Sequence, residues 1–427
     1  MFQKIQAFLF TNGDLRQTIA KNTLWLFLGQ VLGRVLRAAV VIYAARVLGA
    51  GSWGAFSYAL GIAAFLTIFS DIGINALITK EASRNPELKD RYLSTAFFVK
   101  LVLLLIFTLG VIIFFPYLTN IPEAAAIMPI LIFVFAFDTL RDLGSALSRA
   151  LEKMEIEGGV SIFTNLAITV AGFFALYYFG TSYSLSLAYA AGSGAGFIAI
   201  FYILRHHFRN IFKNFTPSLI KPIFQTAWPF GLLGLLGAIM LNTDIIMLGW
   251  MRTPHEVGYY SAAQKLILLA YVLPGLLASS TFPVMSRLAK TDPAKSRELL
   301  EKSLKLITLV SVPLIAGGLL LGGFVFNLLY GPEYASGLRT FQILLFSLIV
   351  VYPATLLGNA LFAYDEQKYF LKFVVIATTT NALFNFALIP AYGIEGAAVS
   401  TIFTQIITNT FIYFKVKKVT GVFSSAN

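Results

Sequence analysis

Cysteine is absent from the 427 residues, which removes disulfide staples, thiolate nucleophiles and cysteine metal sites. Histidine is nearly absent. His206, His207 and His255 are the three, and each falls between apolar runs, so no buried histidine metal cluster is expected. Charge is the next shortage: 12% of residues are Asp, Glu, Lys or Arg, where a soluble protein carries about 25%. No GxxxxGK[ST] loop occurs, which excludes ATP hydrolysis of the phosphate-loop kind. No nucleophile–base arrangement and no sizeable loop with paired carboxylates is found either. An enzyme is therefore not expected, and neither is a cofactor.

What fills the chain is apolar residue, 58% of the total, gathered into long runs. About 20 such residues in a helix cross roughly 30 Å of hydrocarbon. Twelve spans are predicted, near 22–48, 53–79, 93–117, 124–148, 158–180, 184–204, 223–250, 257–285, 303–329, 338–363, 369–390 and 396–414. The expected fold is an all-α polytopic membrane protein. The net charge of +12 has a direction as well as a size. Its loop lysines and arginines, from Lys80, Arg84 and Lys89 to Arg205, Arg209 and Lys213 and on to Lys415, Lys417 and Lys418, fall on one face. Arg252 stands alone in the opposite loops. The positive-inside rule makes the basic face cytoplasmic, with both termini inside. Nucleic acid is not needed to explain the charge. Phe2, Ile5, Phe8 and Leu9 recur at helical spacing and predict a short helix on the inner surface, with no cleaved signal peptide.

The chain reads as two halves of similar length. Residues 1–205 form an N-terminal six-helix lobe, 206–222 a basic interlobe linker with Pro217 and Pro222, and 223–427 a C-terminal six-helix lobe. Weak internal matches support duplication. At one offset Gly33 meets Gly237, Gly54 meets Gly258, Phe56 faces Tyr260 and Ser57 meets Ser261. At a second offset LGSAL at 143–147 meets LGNAL at 357–361, and Glu152 meets Glu366. Two pseudo-symmetric lobes of this kind bind cargo near mid-membrane in many transporters.

Ions inside spans are costly unless paired or wetted, so they mark function or structure. Arg34 and Arg37 lie three apart on one helix face near mid-depth and could grip a phosphate or pyrophosphate in bidentate fashion. The competing reading pairs them with Asp71, Asp138 or Asp142 to hold the lobe together. Lys100, Arg141 and Lys265 complete the candidate cationic cavity. Asp244 and Lys265 fall at similar depth on neighbouring spans and read as an ion pair, or as a site where transport couples to a cation. Asp71 beside Gly73 has the same two readings. Pro229, Pro274 and Pro283 predict bends in spans 7 and 8, as hinges or as static kinks. Asn165, Thr169, Asn242, Thr378, Thr379, Thr380, Asn381, Asn385 and Gln405 could line a cavity, with interhelical hydrogen bonding the reading preferred for most of them.

Several segments together resemble the polysaccharide and O-antigen flippases of the multidrug/oligosaccharidyl-lipid/polysaccharide exporter superfamily. They are LGAGSWGAFSYA at 48–59, SDIGINALITKEASR at 70–84, LNTDIIMLG at 241–249, VGYYSAAQKL at 257–266, FPVMSRL at 282–288 and LYGPEY at 329–334. The resemblance spans residues 18–415. It implies a MATE-like, V-shaped pair of six-helix lobes working by alternating access. The cargo it implies is an isoprenoid pyrophosphate carrying an oligosaccharide, moved from the inner to the outer leaflet for surface polysaccharide biosynthesis. In such proteins cationic residues line the central cavity, and Arg34, Arg37, Lys100, Arg141 and Lys265 are the positions that fit here. Only Lys265 lies in a matched segment. Related peptidoglycan-precursor flippases have fourteen spans, which this chain departs from.

The expected partners are therefore lipid-linked oligosaccharide and membrane lipid, with H+ or Na+ as a candidate coupling ion and a monomer as the working unit. A cation-coupled multidrug exporter on the same architecture is the alternative; its cavity would favour acidic residues, against the basic bias here. A membrane-embedded glycosyltransferase would need a larger external loop.

Overall fold

In a computed structural model, residues 10–13, 15–85, 87–366 and 368–423 are described, and they form helices and connections with no strand among them. The surface helix expected from Phe2, Ile5, Phe8 and Leu9 lies outside the described residues. The helices are α1 (Leu15–Asp71), α2 (Ile74–Arg84), α3 (Lys89–Leu118), α4 (Pro122–Ala150), α5 (Met154–Tyr178), α6 (Ser182–Ile203) and α7 (Ile220–Met251). They continue with α8 (Pro254–Ala270), α9 (Val272–Thr291), α10 (Pro293–Tyr330), α11 (Leu338–Leu345), α12 (Ser347–Ala363) and α13 (Lys368–Thr420).

Among the described residues nine helices are long and apolar enough to cross a membrane, and ten when the bent pair Pro332–Leu345 and Ser347–Ala363 counts as one span. Two of them are too long for one crossing. At about 1.5 Å per residue, the 57 residues of α1 and the 53 of α13 would each run about 80 Å, against roughly 30 Å of hydrocarbon. Each is broken by a glycine at positive φ, Gly49 (73°) in α1 and Gly393 (58°) in α13. Each therefore supplies two passages, and the spans expected from hydropathy are recovered. The chain is a multi-pass all-α membrane protein.

The chain divides into two compact units, one of Met1–Leu48 with Ala55–Ala238, the other of Gly49–Gly54 with Ile239–Asn427. The boundary runs through α7, between Ala238 and Ile239. The turn at Gly49–Gly54 packs with the second unit although its flanking limbs pack with the first.

The expected bend in span 8 is present and has a cause. Pro274 carries no N–H, so the carbonyl of Ala270 loses its intrahelical donor and the helix breaks at Tyr271. The buried Tyr352 hydroxyl donates to that carbonyl at 2.8 Å. The bend is thus locked by a side chain from α12. The second internal match also takes physical form. Glu152 (φ 57°) follows α4 and Asp365 (φ 59°) follows α12, each closing its helix with a left-handed residue. The next amide bonds five residues back in both cases, Lys153 to Ser148 and Glu366 to Leu361. Gly180 (φ 59°) and Gly393 (φ 58°) stand at that same separation. The structural offset is one residue shorter than the one that aligns LGSAL with LGNAL.

Candidate functional site

The first limb of α1 presents three different strips. Gly29, Gly33, Val40 and Ala44 share one side and are buried. Gly29 approaches the backbone of Gly158, so α1 and α5 meet there without a side chain between them, and Gly33 leaves room for the side-chain amide of Asn165. Leu24, Leu28, Val31, Val35 and Ala39 form a second, apolar strip. The third strip holds Thr23, Gln30, Arg34 and Arg37; the first three are exposed and Arg37 is half-buried. An arginine at mid-bilayer costs about 2.5–3.5 kcal/mol on insertion scales. A strip of Thr, Gln and two Arg therefore belongs against water or a polar cargo, and the strip of Leu, Val and Ala against lipid.

Arg34 and Arg37 differ in their surroundings. Arg34 is exposed and makes no ion pair among the described residues. The Nε of Arg37 donates to Oδ1 of Asn165 at 3.1 Å, and its guanidinium lies 5.0 Å from the ring centre of buried Tyr189. Asp138 is within its electrostatic reach. Asp138 accepts from Arg141 at 2.7 Å, and Arg141 also donates to Asp142 at 3.0 Å. Arg37, Asp138, Arg141 and Asp142 thus form one network of balanced charge, and Arg34, one turn from Arg37, adds an uncompensated positive charge at its open end. Asn165 was legible as a polar residue in span 5. Tyr189 carried no signal in the sequence, because it sits in a small-residue helix with nothing to mark its ring.

Lys100 is placed differently from the cavity cation expected. It is 0% exposed, and its three ammonium hydrogens are taken by Asp71 (2.9 Å), the Asn75 amide oxygen (2.8 Å) and the Thr139 carbonyl (3.0 Å). Asp71 also accepts from the backbone N–H groups of Gly73 and Asn75, capping α2 where Ile72 (φ 38°) and Gly73 (φ 88°) turn the chain. Of the two readings of Asp71, this geometry is the ion pair. In this conformation both groups hold the α1–α2 break onto α3 and α4.

In the second unit Asp244 on α7 is 5% exposed. The Asp244–Lys265 ion pair entertained from the sequence is not formed among the described residues. Asp244 instead accepts from four neutral donors: the Tyr260 hydroxyl, Thr401 Oγ1 (2.6 Å), Asn385 Nδ2 (2.6 Å) and Asn381 Nδ2 (3.1 Å). Lys265 is half-buried further along α8. Depth on two spans was readable, but not the azimuth, and three of the four donors come from α13, more than a hundred residues on. Asn385 Oδ1 is buried with no hydrogen-bond partner. Asp244 is thus a buried carboxylate held by neutral donors alone among the described residues. No group of three or more His, Cys, Asp or Glu side chains gathers among the described residues.

A family model described as polysaccharide biosynthesis protein matches residues 19–289. The protein named probable flippase AglR of Haloferax volcanii is 33% identical over 166 residues; the match covers 38% of this chain and 35% of that one. The capsular polysaccharide biosynthesis protein CapF of Staphylococcus aureus is 21% identical over 94% of this chain and 100% of its own. A solved structure of the lipid II flippase MurJ, in an inward closed conformation, shares the fold with a TM-score of 0.76 at 17% identity, over 93% of this chain and 87% of that one.

Proposed function

Because the chain belongs to the polysaccharide biosynthesis protein family, we propose that it is a flippase moving isoprenoid-pyrophosphate-linked oligosaccharide from the inner to the outer leaflet by alternating access. The single observation that carries the reading is the polar strip of α1, with exposed Arg34 beside the Arg37–Asp138–Arg141 network. A pyrophosphate offers paired anionic oxygens that match guanidinium forks. The sugar head needs a wet path, which Thr23, Gln30 and the arginines furnish. The relatives named flippase and capsular polysaccharide biosynthesis protein support the same cargo class. On this reading the protein does no covalent chemistry, acts as a monomer in the plasma membrane and keeps both termini in the cytoplasm.

The test is flipping of a fluorescent polyprenyl-pyrophosphate oligosaccharide in proteoliposomes. Two charge-assisted contacts are worth at least about 1.5 kcal/mol together, so Arg34→Ala with Arg37→Ala lowers the rate about tenfold or more. Arg37→Lys, which keeps the charge and loses the fork, falls between. An unchanged rate in the double variant removes the pyrophosphate grip; no flipping by the unaltered protein removes the cargo assignment.

Asp244 is the proposed coupling site for H+ or Na+. Its carboxylate and the partnerless Asn385 Oδ1 are oxygen ligands or proton acceptors inside one helix packing. Asp244→Asn is expected to leave a basal rate and abolish its response to an imposed H+ or Na+ gradient. A variant that still follows the gradient places coupling elsewhere.

A further inference from the structure

A groove of about 710 Å³ runs along the second unit between α10, α12 and the second limb of α13. Its lining is ordered by depth. The end nearest the basic loops carries Lys305, Tyr413, Phe414 and Phe423; the other end is aliphatic, with Val312, Val350 and Ile406. Phe423 is fixed as a rim because its amide donates to Glu301 on α10 at 2.8 Å.

Between the two ends lie Thr308, Asn409 and Thr410, one turn deeper than Lys305 and Tyr413. None of their side chains has a hydrogen-bond partner among the described residues. Polar groups left unpaired in an apolar surround each cost about 1–3 kcal/mol, and three on facing helices in one groove need acceptors from outside the protein. An apolar chain alone does not satisfy them. Nor does it gain by leaving the bilayer, since lipid tails are as apolar as the groove.

The geometry points to a binding site for an anionic glycerophospholipid from the leaflet on the basic-loop side. The phosphate rests at exposed Lys305, the glycerol ester carbonyls accept from Thr308, Asn409 and Thr410, and one acyl chain lies along Val312, Val350 and Ile406. A polyprenyl phosphate fits less well, because its hydrocarbon begins directly after the phosphate and offers no acceptor at the depth of Thr308 and Asn409. The assignment does not depend on the transport reading.

Native mass spectrometry of the purified full-length protein tests it, with dioleoylphosphatidylglycerol, dioleoylphosphatidylcholine and undecaprenyl phosphate in competition. The unaltered protein is expected to retain phosphatidylglycerol over both others. Lys305→Gln is expected to weaken retention about tenfold and to remove the preference for the anionic head. Thr308→Val with Asn409→Leu is expected to weaken both glycerolipids and leave undecaprenyl phosphate unchanged. Equal retention of phosphatidylglycerol by the variants overturns the site. Undecaprenyl phosphate displacing phosphatidylglycerol from the unaltered protein overturns the glycerolipid assignment, and that arm needs no variant to fold.

Discussion

Lys100→Met is expected to lower stability by about 3–5 kcal/mol, because it leaves Asp71 as a charge without its cation inside a packed unit. Lys100 is 0% exposed and Asp71 is 23% exposed, so water reaches the pair from one side only. Three acceptors surround the ammonium, and a thioether offers none of the hydrogen bonds they lose. The double change Lys100→Met with Asp71→Asn behaves differently. The single amide oxygen of asparagine still accepts from one of the Gly73 and Asn75 amides, and no charge is stranded. It is expected to recover more than half of the loss. Thermal midpoints of monodisperse protein in detergent measure both. If the single and double variants melt together, the pair is not what holds the α1–α2 break. If Lys100→Met melts like the unaltered protein, the lysine is dispensable to the fold and the cavity role returns.

That lysine shows where sequence reasoning stops. Hydropathy located the crossings because apolar length is a scalar quantity, and Gly49 and Gly393 only needed to interrupt two over-long helices. The Arg34–Arg37 face was legible for a similar reason: a spacing of three places two side chains on one side of a single helix, whatever the helix packs against. Whether a charge points at a cleft, at lipid or at a neighbour depends on azimuth, which one helix alone does not set. Lys100 and Arg37 both sit deep in spans, and the structure buries the first in a saturated pair while leaving the second beside an exposed strip. Asp244 failed in the other direction. Its expected partner was the nearest opposite charge, yet four neutral groups on α8 and α13 satisfy it; Tyr260 was visible only as the mate of Phe56 in a repeat and as a letter of the matched segment at 257–266. The interhelical hydrogen-bonding reading of Asn381 and Asn385 was the informative one, and it led to the carboxylate.

The matched glycines carry the second large effect. Gly54→Ala is expected to destabilise the protein by about 3 kcal/mol, near the upper end for overpacking. A Cβ at Gly54 would lie 1.8 Å from the Pro254 carbonyl oxygen and 2.7 Å from the Gly258 amide nitrogen. A Cβ at Gly258 would lie 2.0 Å from the Ala50 carbonyl oxygen. Each obstructing carbonyl belongs to the residue four positions before the opposite glycine, so the two segments cross in the same register from both sides. That reciprocity gives the repeat match its physical reason: one small residue per turn lets two backbones meet, and neither carbonyl can withdraw without breaking its own helix. The ordinary carbon–oxygen contact is about 3.5 Å, so an alanine at either position forces the segments apart by more than 1 Å. Gly258→Ala should therefore match Gly54→Ala, and the double variant should cost less than the sum because the segments part once. Gly110→Ala is the control: nothing lies within 4 Å of its Cβ position, and removing a mid-helix glycine stabilises by up to about 1 kcal/mol. Melting points that fall equally for Gly54→Ala and Gly110→Ala would show that backbone approach at Gly54 is not the constraint.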